Sequence, residues 1–470
     1  MDVHITLARG RMATSIYDQL KRAILDGRLR PGDELPASRA LASRLEVARN
    51  TVLAAYQDLT AEGFLVGKAG AGTRVSDDAA RSLMSRRAPT STAIQPQGIW
   101  RTTAVEPSAS ISCKYDFRLG VPDVALFPWD EWRRLVAKQF RGRRPSALYP
   151  PPEGHPGLRE AIARHIGLAR SVVASRDDVL VTSGAQQAFD LIAKTLVRPG
   201  MTVAVEEPGF PPAHRALRAY GARIAPVRVD AEGIVVDQLP AKTKLVYVTP
   251  SHQFPLGVPM SLARRIALLE WCAEHDAAII EDDYDSELRY DGRPLAPLQT
   301  LDRVGRVLYV GTFSKVLMPS LRLGFVVAPA SVMPALRAAK QLSDSHGPFE
   351  TQAALAQLID DGTLARHVRR ITRIYGERHA RLHAALAREL ADELDPIPSS
   401  AGLHTSAWLR RSHDVSTLAR VALDAGVAVE PLATYYQRRA RPGIALGYGA
   451  IATPQIDEGV RRLARALRSA

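Results

Sequence analysis

The segment Arg306–Val327 reads RVLYVGTFSKVLMPSLRLGFVV, and Lys315 stands in it between two apolar runs. Val307 to Val310 has the character of a buried strand, and Leu323 to Val327 of a second strand that returns the chain to the core. Between them, Gly311-Thr312-Phe313-Ser314-Lys315 forms a turn that sets a primary amine beside two hydroxyls, and Arg322 follows seven residues after the lysine. A phosphorylated aldehyde requires these groups: the amine forms a Schiff base, while Ser314 and Arg322 hydrogen-bond and neutralise the phosphate. A Ser-Lys pair alone is commonly a solvated surface feature. The spacing S-K-x(6)-R-x-G between two strands is what sets this one apart.

The segment resembles the lysine motif of fold type I pyridoxal 5'-phosphate (PLP) enzymes, the aspartate aminotransferase superfamily. Three other stretches are similar to that superfamily's remaining signatures, in the same order. Val179 to Thr182 opens through Ser183-Gly184-Ala185-Gln186 into the helical pattern QAFDLIAKTL, which offers free amides and a positive helix end to a phosphate. The resemblance makes Gly184, Ala185 and Gln186 the phosphate cup. Ala278-Ile279-Ile280 reads as a strand that ends in the carboxylate run Glu281-Asp282-Asp283, followed by Tyr284 and Asp285. A carboxylate there keeps a pyridinium nitrogen protonated and a phenol can bond the ring oxygen, so these roles are expected of Asp282 and Tyr284. Glu206-Glu207-Pro208-Gly209-Phe210 places an aromatic where the family stacks a ring on its cofactor, which marks Phe210.

Length and composition set the frame. A chain of 470 residues suggests two to three domains. No apolar run approaches the roughly 18 residues of a membrane helix, and the N-terminus shows no apolar signal core. Only Cys113 and Cys272 are present, too far apart for a metal or redox motif. A cytoplasmic protein with no membrane partner is expected. The net charge of +13 favours a polyanionic partner, but an arginine-rich composition produces the same figure without one.

Residues 1–76 read as a separate module. Ile16, Leu20, Ala23 and Ile24 recur at helical spacing in Ser15 to Asp26, and Gly27 stops that helix. After the turn Arg30-Pro31-Gly32-Asp33, Leu35 to Ser38 caps a helix over Arg39 to Leu45, and another starts at Arg49-Asn50-Thr51 and runs to Gly63. Two short helices joined by a tight turn make a helix-turn-helix, and two short strands around Lys68-Ala69-Gly70-Ala71-Gly72 make a wing. This order, with LRPGDELPASRALA and VARNTVLAAYQDLTAEGFL, resembles the DNA-binding domain of the GntR regulators. The resemblance implies that Arg39, Arg49, Asn50, Thr51 and Lys68 touch double-stranded DNA. Arg49 is placed for the major groove, and Arg39 and Lys68 for phosphates or the minor groove. The module holds 11 basic and 8 acidic residues, so its charge alone does not decide between DNA and protein as its partner.

From Asp77 to Cys113 periodicity disappears, and SRRAPTSTAIQPQGIWRTTAVEPSASIS reads as a flexible linker whose Arg81, Arg86, Arg87 and Arg101 are expected to be solvated more than set against DNA phosphates. The remaining span, 114–470, alternates apolar strands with helices. That alternation implies a mainly parallel α/β sheet with ligands at its C-terminal edge, where Gly184, Asp282 and Lys315 fall. A smaller α+β lobe follows, with strands over Gly402 to Leu409 and Ala445 to Tyr448. Tyr149, in YPPPEGHPGLREAIA, resembles the superfamily tyrosine that reaches across a homodimer interface to the other subunit's phosphate.

Taken together the chain resembles the MocR subfamily of GntR regulators, a winged helix-turn-helix fused through a linker to an aminotransferase-like PLP domain. YVTPSHQFPLGVPMSLARR, IIEDDYDSELRYDGRPL and YVGTFSKVLMPSLRLG carry that resemblance. Two departures from aminotransferases bear on function. Their Asn-Pro-x-Gly loop appears as Phe254-Pro255-Leu256-Gly257, with His252 and Gln253 as candidate substitutes for the asparagine. Their carboxylate-gripping Arg-x-Ser-Phe appears as Ala445-Leu446-Gly447-Tyr448, which removes a bidentate bond that Arg438, Arg439 or Arg441 would have to replace. The missing arginine favours a regulator that senses PLP or an amino-compound effector over an aminotransferase with an accessory DNA-binding domain.

Overall fold

Ile16, Leu20, Ala23 and Ile24 all lie on the buried side of α1 (Met12–Leu25), so the spacing read from the sequence is the face that packs. The computed structural model describes residues 5–8, 10–68, 72–77, 95, 99–100, 113–141, 148–292, 296–411 and 415–469. The chain divides into two compact units, Met1–Thr103 and Ala104–Ala470.

In the first unit, α1 is followed by β1 (Glu34–Leu35), α2 (Ser38–Leu45), α3 (Arg49–Ala61), β2 (Leu65–Lys68) and β3 (Gly72–Val75). Leu41, Val52, Ala55 and Leu59 close the core against α1. The expected cap at Ser38 is not formed. Ala37 occupies the N-cap with no side-chain bond, and Ser38, inside the first turn, accepts a 3.4 Å bond from Nε of Arg49. The wing has a strand more than expected, because β1 pairs with β3 and the sheet order is β1-β3-β2. Most of the linker, with Arg81, Arg86, Arg87 and Arg101, lies outside the described residues, as do the wing tip at 69–71 and the side chain of Lys68.

The second unit is built on β5 (Val179–Thr182), β6 (Thr202–Glu207), β7 (Arg223–Asp230), β8 (Gly233–Ile234), β9 (Thr243–Val248), β10 (Ala278–Asp283), β11 (Val307–Thr312) and β12 (Gly324–Val327), after a short β4 (Tyr115–Asp116). They form one sheet in the order β5-β12-β11-β10-β9-β6-β7-β8. Only β12 and β8 run against the others. Apolar clusters cover both faces, which is why these strands are apolar throughout instead of alternating.

The carboxylates after Ile280 belong to the sheet and not to a loop. Strand β10 continues to Asp283, and strand alternation sends Asp282 to one face and Glu281 and Asp283 to the other. Glu281 and Asp283 are held by different partners. Glu281 accepts from the backbone of Leu298 and Gln299, and Asp283 pairs with Arg170 at 3.0 Å and accepts from the Tyr309 hydroxyl.

The second lobe carries a sheet of β13 (Leu394–Pro396), β14 (His404–Leu409), β16 (Glu430–Pro431) and β17 (Gly443–Gly447) in the order β13-β14-β17-β16, while β15 (Val427–Ala428) pairs with β4. A 27-residue helix, Thr363–Glu389, leads into it. Among the described residues no helix is long and apolar enough to cross a membrane.

Candidate functional site

A cavity of about 190 Å³ opens at the C-terminal edge of the parallel strands. Because β12 is antiparallel, its N-terminal end lies at this same edge, and so Arg322, just before it, reaches the cavity from the opposite chain direction. Arg322 itself has φ +52, and its guanidinium donates to the carbonyl of Ser183. Gly184 has φ +80, and a Cβ there would lie 3.1 Å from that guanidinium, so the glycine is what lets the arginine sit against the opening turn of Ala185–Leu196. The hydroxyls of Thr312 and Ser314 are hydrogen-bonded at 2.9 Å on the same side. Free helix amides, two hydroxyls and a guanidinium form an anion cradle.

Asp282 faces the cavity from the middle of the sheet. Oδ2 accepts a 2.6 Å bond from the Tyr247 hydroxyl, and Oδ1 is buried with no hydrogen-bond partner. Burial pushes this carboxyl up to about 7, with Asp283 and Asp285 adding to the rise and the Tyr247 bond and Lys315 opposing it. Nζ of Lys315 donates to the carbonyl of Gly120 at 2.8 Å. Burial lowers the lysine below its ordinary value, against the pull of Asp285 and Asp282, and so raises its nucleophilic fraction. The Tyr284 hydroxyl donates to the carbonyl of His252 at 2.9 Å and lies 3.0 Å from Nδ1 of the same ring, which Asp285 also contacts.

The structure brings Ala185, Gln186, Phe210, Asp282, Tyr284, Ser314, Lys315 and Arg322 together around this one cavity, with Gly184 directly behind Arg322. Tyr149 is not among the lining residues: it is 87% exposed and its ring neighbours His346. Gln253 does not substitute for the asparagine. Its amide is turned into the protein and donates to the carbonyls of Pro208 and Phe254. His252 sits behind Tyr284, and Phe254 lines the cavity in its place. Ala445 is fully buried in β17, Arg441 lies over the Trp408 ring at 4.4 Å, and Arg438 and Arg439 are not lining residues. Gly120, Tyr247 and His404 were not legible as site residues. Each arrives from a distant segment, and none stands in a run with a chemical signature of its own.

In the first unit Arg39, Arg49 and Asn50 are exposed and Thr51 is half-buried. Asn50, Leu53 and Gln57 share the outer face of α3, opposite the buried Val52, Ala55 and Leu59.

These two units define a helix-turn-helix transcriptional regulator whose second domain has the fold of an aminotransferase. Residues 12–75 match the family of bacterial regulatory proteins of the gntR type, and 117–456 match aminotransferase class I and II. The chain is 36% identical to the probable rhizopine catabolism regulatory protein MocR of Rhizobium meliloti, over 96% of this chain and 93% of that one. It is 35% identical to the HTH-type transcriptional regulator TauR of Rhodobacter capsulatus, over 98% and 97% of the two chains. Among solved structures, it resembles the α-aminoadipate aminotransferase LysN of Thermus thermophilus complexed with N-(5'-phosphopyridoxyl)-L-leucine. That likeness has a TM-score of 0.70 at 32% identity, over 75% of this chain and 92% of that one. The chain belongs to the MocR-type family of GntR regulators.

Proposed function

We propose that this regulator binds an operator through its winged helix and carries PLP on Lys315, so that PLP itself, or an amino compound that reacts with it, alters DNA binding. The observation that carries this reading is the buried, unpartnered Oδ1 of Asp282, in a cavity that also holds a lysine amine and an anion cradle. An orphaned buried carboxylate oxygen costs about 1 to 3 kcal/mol or more, and a protonated ring nitrogen is a group that would satisfy it. The residues present therefore fit PLP. Gly184, Ala185, Gln186, Ser314 and Arg322 would hold the phosphate, Phe210 would lie against the ring, Asp282 would hold the ring nitrogen and Tyr284 the ring oxygen. When bound, the cofactor supplies an aldehyde that takes up amines and a ring that withdraws electrons.

The regulatory reading outranks an enzymatic one because catalysis asks more of the pocket. Transamination requires the substrate to be held while Lys315 moves its α-proton, and the described lining residues offer no cation for an α-carboxylate beyond Lys315 and Arg322. A signal requires only that binding energy differ between two conformations. We further propose a cytoplasmic homodimer in which Tyr149 completes the partner's phosphate site, and an operator with two half-sites to match the dimer symmetry.

On the DNA side, Arg39, Arg49, Asn50, Thr51 and Lys68 are the proposed contacts. Arg49→Ala is expected to weaken operator binding by about 1 to 3 kcal/mol and to relax sequence preference. Fluorescence anisotropy on operator and scrambled duplexes measures both, and an unchanged preference contradicts the assignment. The reading as a whole is tested by operator binding of the full chain with and without PLP.

A further inference from the structure

Besides the residues of the anion cradle and those that would face the ring, the cavity is also lined by Gly120, Phe254, Asp285, Leu403 and His404, with Gly120 next to Lys315. The polar groups these residues offer are acceptors. Gly120 presents its carbonyl, which the lysine amine satisfies at 2.8 Å, and that carbonyl needs a new donor whenever the amine is engaged elsewhere. Asp285 is buried, and its two oxygens contact only one donor, Nδ1 of His252, at 3.2 and 3.0 Å, so acceptor capacity remains. Nε2 of His404 lies 3.0 Å from the carbonyl of Pro255. A carbonyl can only accept, so Nε2 carries the proton and Nδ1 presents a lone pair. Burial holds this ring well below its ordinary value, with His252 adding to the effect, and it stays neutral. One nitrogen or oxygen atom from each of His252, Asp285 and His404 lies within 4.8 Å of the others, and Phe254 and Leu403 supply apolar walls.

A carboxylate set against Asp285 and His404 would meet a like charge and a lone pair in a desolvated setting, a costly arrangement for a buried charge. An ammonium or hydroxyl would satisfy the same acceptors. Resting on the proposed function above, we infer that the effector is a primary amine that carries a second hydrogen-bond donor, an ammonium or a hydroxyl, and no carboxylate: a diamine or an amino alcohol. Its amine takes the place of Nζ of Lys315 at the cofactor's aldehyde carbon. One carbon–nitrogen double bond breaks as one forms, and the lysine leaves as a free amine with the proton that the incoming ammonium brings. The freed lysine can then donate to Gly120 again, as it does in this structure, and the effector's second donor would lie within reach of Asp285 and His404.

The test uses the full-length, PLP-loaded protein, titrated at one pH with 1,4-diaminobutane, ethanolamine, alanine and 4-aminobutyrate. Visible absorption and operator affinity are read in parallel. The diamine and the amino alcohol are expected to act at concentrations at least about tenfold below those of the two amino acids, and Asp285→Asn is expected to erase the diamine's advantage. Amino acids acting at equal or lower concentrations would overturn the inference while leaving the role of Lys315 intact, as would a protein that responds to none of the four. A purified protein without visible PLP absorption would remove the underlying reading of Lys315 as well. Should Asp285→Asn fail to fold, the four-ligand comparison on the unaltered protein decides alone.

Discussion

Lys315→Ala is expected to abolish the protein's visible absorption and its borohydride-reducible link to PLP. The amine of Lys315 is the one among the described lining residues that can form such a link, and its surroundings favour the reactive form. Burial lowers its pKa, and the nearby Asp282 and Asp285 only partly restore it. Removing the amine leaves the anion cradle and Asp282 in place, so the variant should still bind PLP reversibly, by the phosphate and the ring nitrogen. Reduction with borohydride followed by mass measurement separates the two cases. A link retained by the variant contradicts the assignment.

Arg170→Ala is expected to destabilise the large domain by about 3 to 5 kcal/mol, the cost of leaving a buried charge without its partner. Nε of Arg170 lies 3.0 Å from Oδ2 of Asp283, with side chains 4% and 1% exposed, and the guanidinium also donates to Ser251 at 2.8 Å. Burial alone would raise the Asp283 carboxyl. Arg170 overrides it, aided by bonds from Tyr309 and Ser286, and holds the group below the ordinary carboxylate range. A carboxyl lowered in the folded state contributes stability above its unfolded pKa and loses it as pH falls through the folded value. The gap between the two proteins in denaturant melts should therefore be full at neutral pH and shrink in acid. A gap under about 1 kcal/mol at neutral pH would mean that the pair behaves like an exposed one.

The mainly parallel sheet and most of the cavity are legible in the sequence because their residues stand in short runs with chemistry of their own. Lys315 with Arg322, Asp282 with Tyr284, and Gly184 with its helix each follow or end a strand, and strand ends of such a sheet converge. What the sequence does not reveal depends on how the backbone turns. Glu281-Asp282-Asp283 reads as the end of a strand, and nothing in the run itself shows that Arg265, Arg170, Tyr309 and two helix amides hold Glu281 and Asp283 in the interior. Gln253 is a reasonable asparagine substitute by type, but backbone carbonyls hold its amide away from the cavity. His404 belongs to the second lobe, and only its 3.0 Å bond to the carbonyl of Pro255 shows which nitrogen carries the proton. The third strand of the wing is two residues long, too short for periodicity to mark it.

The central claim is that cofactor state and DNA binding are coupled within one chain. It is tested most directly by measuring operator affinity and bending for the full-length protein with and without PLP, beside Lys315→Ala under the same conditions. The account predicts that PLP changes affinity or bending in the unaltered protein, that the change is lost or strongly reduced in the variant, and that transamination of common amino acids stays far below the roughly 10 per second of a typical enzyme. Operator binding indifferent to PLP, together with multiple-turnover transamination at such a rate, would contradict it and make the chain an enzyme first.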